Sequence, residues 1–172
     1  MMRMLIFSVA LLLLVPAQPA GAQVSCGSGV FTDSGQLLGV SLSHDVAVGD
    51  LDADGDPDLV FANTSSTPNL VFFNDGFGVF TDSGQQLGSF NSRSVALGDL
   101  DADGDLDLVV GNFAQPNRVY INDGFGTFTD SGQLLGAANS NGVELGDLDG
   151  DGDLDLVAVN GNDQPDQVYW ND

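Results

Sequence analysis

Apolar positions along the chain alternate in three short runs, Val46-Ala47-Val48, Val95-Ala96-Leu97 and Val143-Glu144-Leu145. Each run enters an Asp-rich stretch and is followed by a continuous apolar run: Leu59-Val60-Phe61, Leu108-Val109-Val110 or Leu156-Val157-Ala158. Alternation with period two predicts half-buried strands, and the continuous runs predict strands covered on both faces. The Asp-rich stretch is thus the turn of a β-hairpin. Loops around Pro68, Pro116 and Pro165 come next; their lengths differ by one residue, which loops tolerate and strands do not. They lead to predicted third strands at Leu70 to Phe73, Val119 to Ile121 and Val168 to Trp170. Asn74-Asp75-Gly76 and Asn122-Asp123-Gly124 then read as hairpin turns, because these residues accept positive φ. The fourth strand is expected at Phe77 to Phe80 and at Phe125 to Phe128.

The whole pattern repeats. The segment Phe-Thr-Asp-Ser-Gly-Gln starts at positions 31, 80 and 128, a spacing of 49 and then 48 residues. Four antiparallel strands in about 48 residues is the size of one propeller blade. The expectation is an all-β chain of β-propeller-type blades: three four-stranded antiparallel repeats, approximately 28–76, 77–124 and 125–172, forming an incomplete propeller. Propellers typically close with four to eight blades. The favoured explanation is that 23–172 belongs to a larger propeller. A second is a head-to-tail homodimer closing as a six-bladed ring, in which the N-terminal Phe31-Thr32-Asp33 strand of each copy completes the partner's last blade; a third is an open stack. The last two would make Leu59, Phe61 and similar residues of the end blades an association surface.

The first residues have a different character. Arg3 precedes an apolar run from Leu5 to Val15, and Ala20-Gly21-Ala22 supplies small residues for cleavage before Gln23. Residues 1–22 therefore read as a secretory signal peptide, the run being too short to anchor the chain in a membrane. The expected location is secreted, cell-surface or periplasmic. Cys26 is the one cysteine, so no internal disulfide forms; Gln23-Val24-Ser25 is a poor lipoprotein cleavage box, and a free thiol is favoured over lipidation.

Charge narrows the partners. The formal net charge is -22, the three basic residues are all arginines, and Glu144 is the only glutamate among 25 acids. Binding to nucleic acid or to an anionic membrane surface by electrostatics is excluded. Most of the acids fall in three identical loops: Asp50, Asp52, Asp54, Asp56 and Asp58; Asp99, Asp101, Asp103, Asp105 and Asp107; Asp147, Asp149, Asp151, Asp153 and Asp155. Loop positions 1, 3 and 5 can point alternate carboxylates at one hard cation, Gly55, Gly104 or Gly152 at position 6 turns the chain sharply, and position 9 closes the shell. Oxygen-only ligation favours calcium over magnesium, with one Ca2+ per repeat. Asp-Gly runs also make plain solvated turns. Three copies with the acids in identical positions argue against that, because empty loops would be strongly self-repelling.

The repeat VALGDLDADGDLDLVVGN, followed by NRVYINDGFG, resembles the FG-GAP/VCBS-type repeat of extracellular bacterial proteins, related to the blades of integrin α-subunit propellers. The resemblance covers Val30 to Asp172. It implies calcium bound by the side chains at positions 1, 3, 5 and 9 and by the position-7 carbonyls of Asp56, Asp105 and Asp153. Phe77-Gly78 and Phe125-Gly126 supply the FG, but no Gly-Ala-Pro follows, which places the match in the VCBS-like subtype. An EF-hand would need an acid at position 12, where Phe61, Val110 and Ala158 stand instead.

These features suggest a non-catalytic, calcium-stabilised scaffold for adhesion to, or recognition of, a glycan or extracellular surface protein. The alternative is a propeller appendage of a longer extracellular enzyme whose catalytic domain lies elsewhere; a plain structural spacer is a third class. Within the chain the case for catalysis is poor. His44 is the only histidine and reads as a loop residue, the serines lack a nucleophile elbow, and Cys26 has no partner histidine. Tyr120, Tyr169 and Trp170 are candidates for stacking on sugars if exposed, and read as blade core if buried.

Overall fold

The computed structural model describes residues 29–136 and 139–172. The expected signal peptide, 1–22, and Cys26 lie outside the described residues. Met1–Ser34 and Gly35–Asp172 form separate compact units. The second carries eleven strands, and no helix occurs among the described residues.

The strands fall into three antiparallel sheets, each in simple sequence order. Sheet 1 contains β1 (Ser43–Gly49), β2 (Asp58–Asn63), β3 (Asn69–Asn74) and β4 (Phe80–Leu87). Sheet 2 contains β5 (Ser92–Gly98), β6 (Asp107–Asn112), β7 (Arg118–Asn122) and β8 (Phe128–Asp130). Sheet 3 contains β9 (Ser140–Gly146), β10 (Asp155–Asn160) and β11 (Gln167–Tyr169). The all-β, blade-like architecture is as the repeat pattern predicts. The third sheet departs from it, with three strands and not four, and β11 is its edge.

The fourth strands begin three residues later than the sequence suggests. Phe77 and Phe125 are exposed, and the turns run from Asp75 to Val79 and from Asp123 to Thr127. The cause is local: the Asp75 carboxylate accepts the N–H groups of Phe77 (2.9 Å) and Val79 (3.0 Å), closing a longer loop than the Asn-Asp-Gly signal implies. Gly76 and Gly78 both take positive φ within it. The strand proper is therefore the Phe-Thr-Asp segment itself. The first such segment, at 31–33, is not a strand here, in contrast to the expectation. A fourth strand pairs with the third strand before it, and no strand precedes this segment among the described residues.

Sheet 2 is sandwiched between the other two, with β5 against β1 and β2, and β9 against β5 and β6. All six residues of β6 are buried, which explains its unbroken apolar run. One core, including Leu51, Val60, Val71, Leu108, Tyr120 and Phe128, lies between sheets 1 and 2. A second, including Val109, Val119, Val143 and Leu156, lies between sheets 2 and 3. Polar bonds cross both contacts near the strand starts. Asp45 accepts the Ser94 hydroxyl (2.9 Å) and the Val95 N–H (3.1 Å), and the Ser94 hydroxyl in turn accepts the Val143 N–H (3.2 Å).

The sheets approach closely where β5 enters its loop. A Cβ added at Gly98 would stand 2.7 Å from Leu154 Cδ1 and 2.9 Å from Leu145 Cδ1, both in sheet 3 or its loop. Gly98→Ala is expected to cost about 1–3 kcal/mol by overpacking, read as a lower urea midpoint with an unchanged slope.

Candidate metal centres

Each Asp loop joins the first and second strands of its sheet, and its ninth residue is the first residue of the second strand. Asp58, Asp107 and Asp155 are fully buried. In each, Oδ2 accepts the N–H of the residue at loop position 2: Leu51, Leu100 or Leu148, all at 2.9 Å. Oδ1 accepts the N–H of the asparagine ending or following the third strand: Asn74 (2.8 Å), Asn122 (2.9 Å) or Asn171 (3.0 Å). One carboxylate thus fixes the loop to the sheet at two points.

Oxygens from positions 1, 3 and 9 converge. Asp50, Asp52 and Asp58 each offer a carboxylate oxygen within 4.8 Å of the others, as do Asp99, Asp101 and Asp107, and Asp147, Asp149 and Asp155. The position-5 residues Asp54, Asp103 and Asp151 are not in these groups; each accepts an N–H from position 7, at 2.9, 3.0 and 3.0 Å. The position-7 side chains are also outside the groups. Asp56 and Asp105 lie against the turn glycines Gly76 and Gly124, both at a φ of 76°, the left-handed region that favours glycine. The position-6 glycines take φ of 94°, 97° and 105°, and position 4 is also left-handed, occupied by Ala53, Ala102 and Gly150.

The clusters are electrostatically loaded. Burial, followed by repulsion from Asp58 and Asp54, raises the carboxyl pKa of Asp52. Burial raises that of Asp107 against the lowering effect of its two backbone donors. Burial also raises Asp105 and Asp149, with neighbouring acids adding to it. Asp123 moves the other way, because the Thr127 and Phe125 N–H groups stabilise its charge.

The residues fit a hard cation. Asp50 Oδ1 and Asp99 Oδ1 are buried oxygens without a hydrogen-bond partner, a costly state for a carboxylate that a bound cation relieves. The donor set is oxygen alone. Asp50, Asp52 and Asp58 and their counterparts would hold the ion, which would supply charge neutralisation and cross-link the hairpin. The third loop differs in detail: Asp147 Oδ1 accepts Gly150 N–H at 2.7 Å, whereas Asp50 and Asp99 bond position 6 through Oδ2, at 3.0 and 3.1 Å.

Sequence reasoning missed the asparagines. Asn122 Nδ2 donates to the Leu51 carbonyl (2.9 Å) and Asn171 Nδ2 to the Leu100 carbonyl (2.8 Å), each tying a sheet to the preceding sheet's Asp loop. The available signal was the Asn-Asp pair at the end of all three third strands. His44 is not in a loop but in β1, at a register shift between Ser43 and Asp45, and is exposed. Tyr120 is core, its phenol pushed up to about 12 chiefly by burial. Tyr169 is half-buried and Trp170 exposed.

Three stacked antiparallel sheets, two of four strands and one of three, each bearing the same Asp loop, define a repeat protein of propeller-like blades. A model of the FG-GAP-like repeat matches residues 50–110 and again 99–158. The chain belongs to the FG-GAP-like repeat family. A search of the curated proteins finds no match to it.

Proposed function

We propose that this chain is an extracellular, non-catalytic module in which calcium held by the three Asp loops sets the hairpins, and whose blades serve as a scaffold for adhesion to, or recognition of, a glycan or surface protein. The observation that carries the reading is the threefold recurrence of one arrangement: a converging carboxylate triad whose buried ninth member also holds the third strand. Such carboxylates are engaged in structure, and an ion on them contributes folding energy. Exposed Trp170 is the aromatic most available for a sugar face, whereas Tyr120 is enclosed.

Calorimetric titration of the chelator-treated chain with calcium, followed in parallel by circular dichroism, tests the reading. Three equivalents and a gain in thermal stability are expected, with magnesium weaker. Absence of calcium uptake at millimolar concentration would overturn it. Recognition is read on a glycan array with and without chelator, and the expected signal depends on calcium.

A further inference from the structure

The buried ninth carboxylates of the three Asp loops are joined to one another by a chain of hydrogen bonds. Asp58 Oδ2 accepts the Leu51 N–H (2.9 Å), the Leu51 carbonyl accepts Asn122 Nδ2 (2.9 Å), and the Asn122 N–H is donated to Asp107 Oδ1 (2.9 Å). The same order of bonds then repeats. Asp107 Oδ2 accepts the Leu100 N–H (2.9 Å), the Leu100 carbonyl accepts Asn171 Nδ2 (2.8 Å), and the Asn171 N–H is donated to Asp155 Oδ1 (3.0 Å). One leucine and one asparagine separate each candidate ligand from the next.

The link between the first two loops is fully enclosed. Asp58, Leu51, Asn122 and Asp107 are all buried, so water does not compete for their bonds and each bond is felt by the next. Asn122 Nδ2 also donates to the carbonyl of Leu106 (3.2 Å), the residue before Asp107. A single side chain thus holds two loops at once.

Each loop changes state when it fills. In an empty loop the carboxylates at positions 1, 3 and 9 repel one another, and Asp50 Oδ1 and Asp99 Oδ1 are buried without a partner; a cation relieves both strains. The ion then fixes the ninth carboxylate, which fixes the position-2 N–H and with it the carbonyl that the asparagine amide reaches. The asparagine's own N–H holds the next ninth carboxylate in place.

We infer that the three loops take up calcium cooperatively, with Asn122 and Asn171 carrying the coupling from loop to loop; this rests on the calcium reading proposed above. An ion entering a loop that its neighbour has already ordered loses less conformational entropy on binding. Linkage makes the effect reciprocal, so the middle loop, bonded through both oxygens of Asp107, responds to both neighbours. Through space the sign is opposite. Cations in neighbouring loops repel, so loops without this connection would fill with equal or falling affinity.

The test is a double-mutant cycle read by calorimetric titration of the full chain with calcium. Asp52→Asn removes a ligand of the first loop and lies off the hydrogen-bond chain. Asn122→Ala deletes the side-chain donor and keeps the backbone N–H that holds Asp107. The unaltered chain is expected to bind three ions with a Hill coefficient above 1. Asp52→Asn is expected to weaken the remaining sites about 5-fold or more, the lower end of typical coupling between sites. In the Asn122→Ala background the same change is expected to leave the second loop unaffected. A general loss of stability lowers both members of that pair together and leaves the 5-fold ratio in place. Where Asn122→Ala fails to fold, Asn171→Ala at its half-buried position gives the equivalent cycle with Asp149→Asn in the third loop. Three ions bound with affinities that Asp52→Asn does not lower overturn the inference and leave the calcium reading standing. So does a 5-fold effect that survives both asparagine substitutions. No calcium uptake by the unaltered chain overturns the reading and the inference together.

Discussion

Asp107→Ala is expected to lower the stability of the chain by about 3–5 kcal/mol, a large share of what a domain of this size possesses. The carboxylate is fully buried and accepts the N–H groups of Leu100 and Asn122, so alanine leaves two enclosed donors unsatisfied at about 1–3 kcal/mol each. Urea denaturation in calcium and in chelator separates the structural role from the ligand role. The loss is expected to persist in chelator. Asp103→Ala provides the contrast: this exposed side chain holds only the Asp105 N–H, so its cost in chelator is expected to be under about 1 kcal/mol.

The second large effect is an opposite response to pH with and without calcium. In chelator, Asp52, Asp105, Asp107 and Asp149 titrate above 3.8, mainly through burial with repulsion from neighbouring acids. Their contribution favours the folded state below about 3.8, the unfolded value, and is lost as pH rises through the higher folded values. Asp123, whose pKa is lowered, works in reverse and loses its contribution as pH falls. With four groups against one, the melting temperature in chelator is expected to fall as pH climbs from 4 towards 7. Calcium requires ionised carboxylates, so its stabilisation grows over the same window. At 100 times the dissociation constant each loop adds about 2.7 kcal/mol, or roughly 8 for three. The two melting curves should therefore diverge towards neutrality; parallel curves would mean that the loops do not hold the ion.

The strands that carry an apolar signal were legible in the sequence. Period-two alternation located β1, β5 and β9, and the unbroken runs located β2, β6 and β10, because burial on one face or two leaves a distinct imprint. The fourth strand has no such imprint. Its Phe-Thr-Asp segment is mostly polar and held by edge pairing, while the apolar Phe77-Gly78 and Phe125-Gly126 pairs occupy turns closed by Asp75 and Asp123. The Asp loops were legible as a spacing, and the triads at positions 1, 3 and 9 follow it. That the ninth Asp is also a backbone clamp, and that Asn122 and Asn171 reach 71 residues back to the preceding loop, depends on contacts between sheets. No local window contains both partners.

The sheet ends one strand later than the cation loop, third strand and turn that mark the sequence repeat, so the unit of descent and the unit of packing are out of step by one strand. The Phe-Thr-Asp segments at 80–82 and 128–130 each stand at the head of one repeat and complete the sheet of the repeat before it. Gain or loss of a complete repeat changes the length of the stack and leaves the contact between neighbouring sheets the same. A lineage of such chains can vary in length without redesigning a single interface.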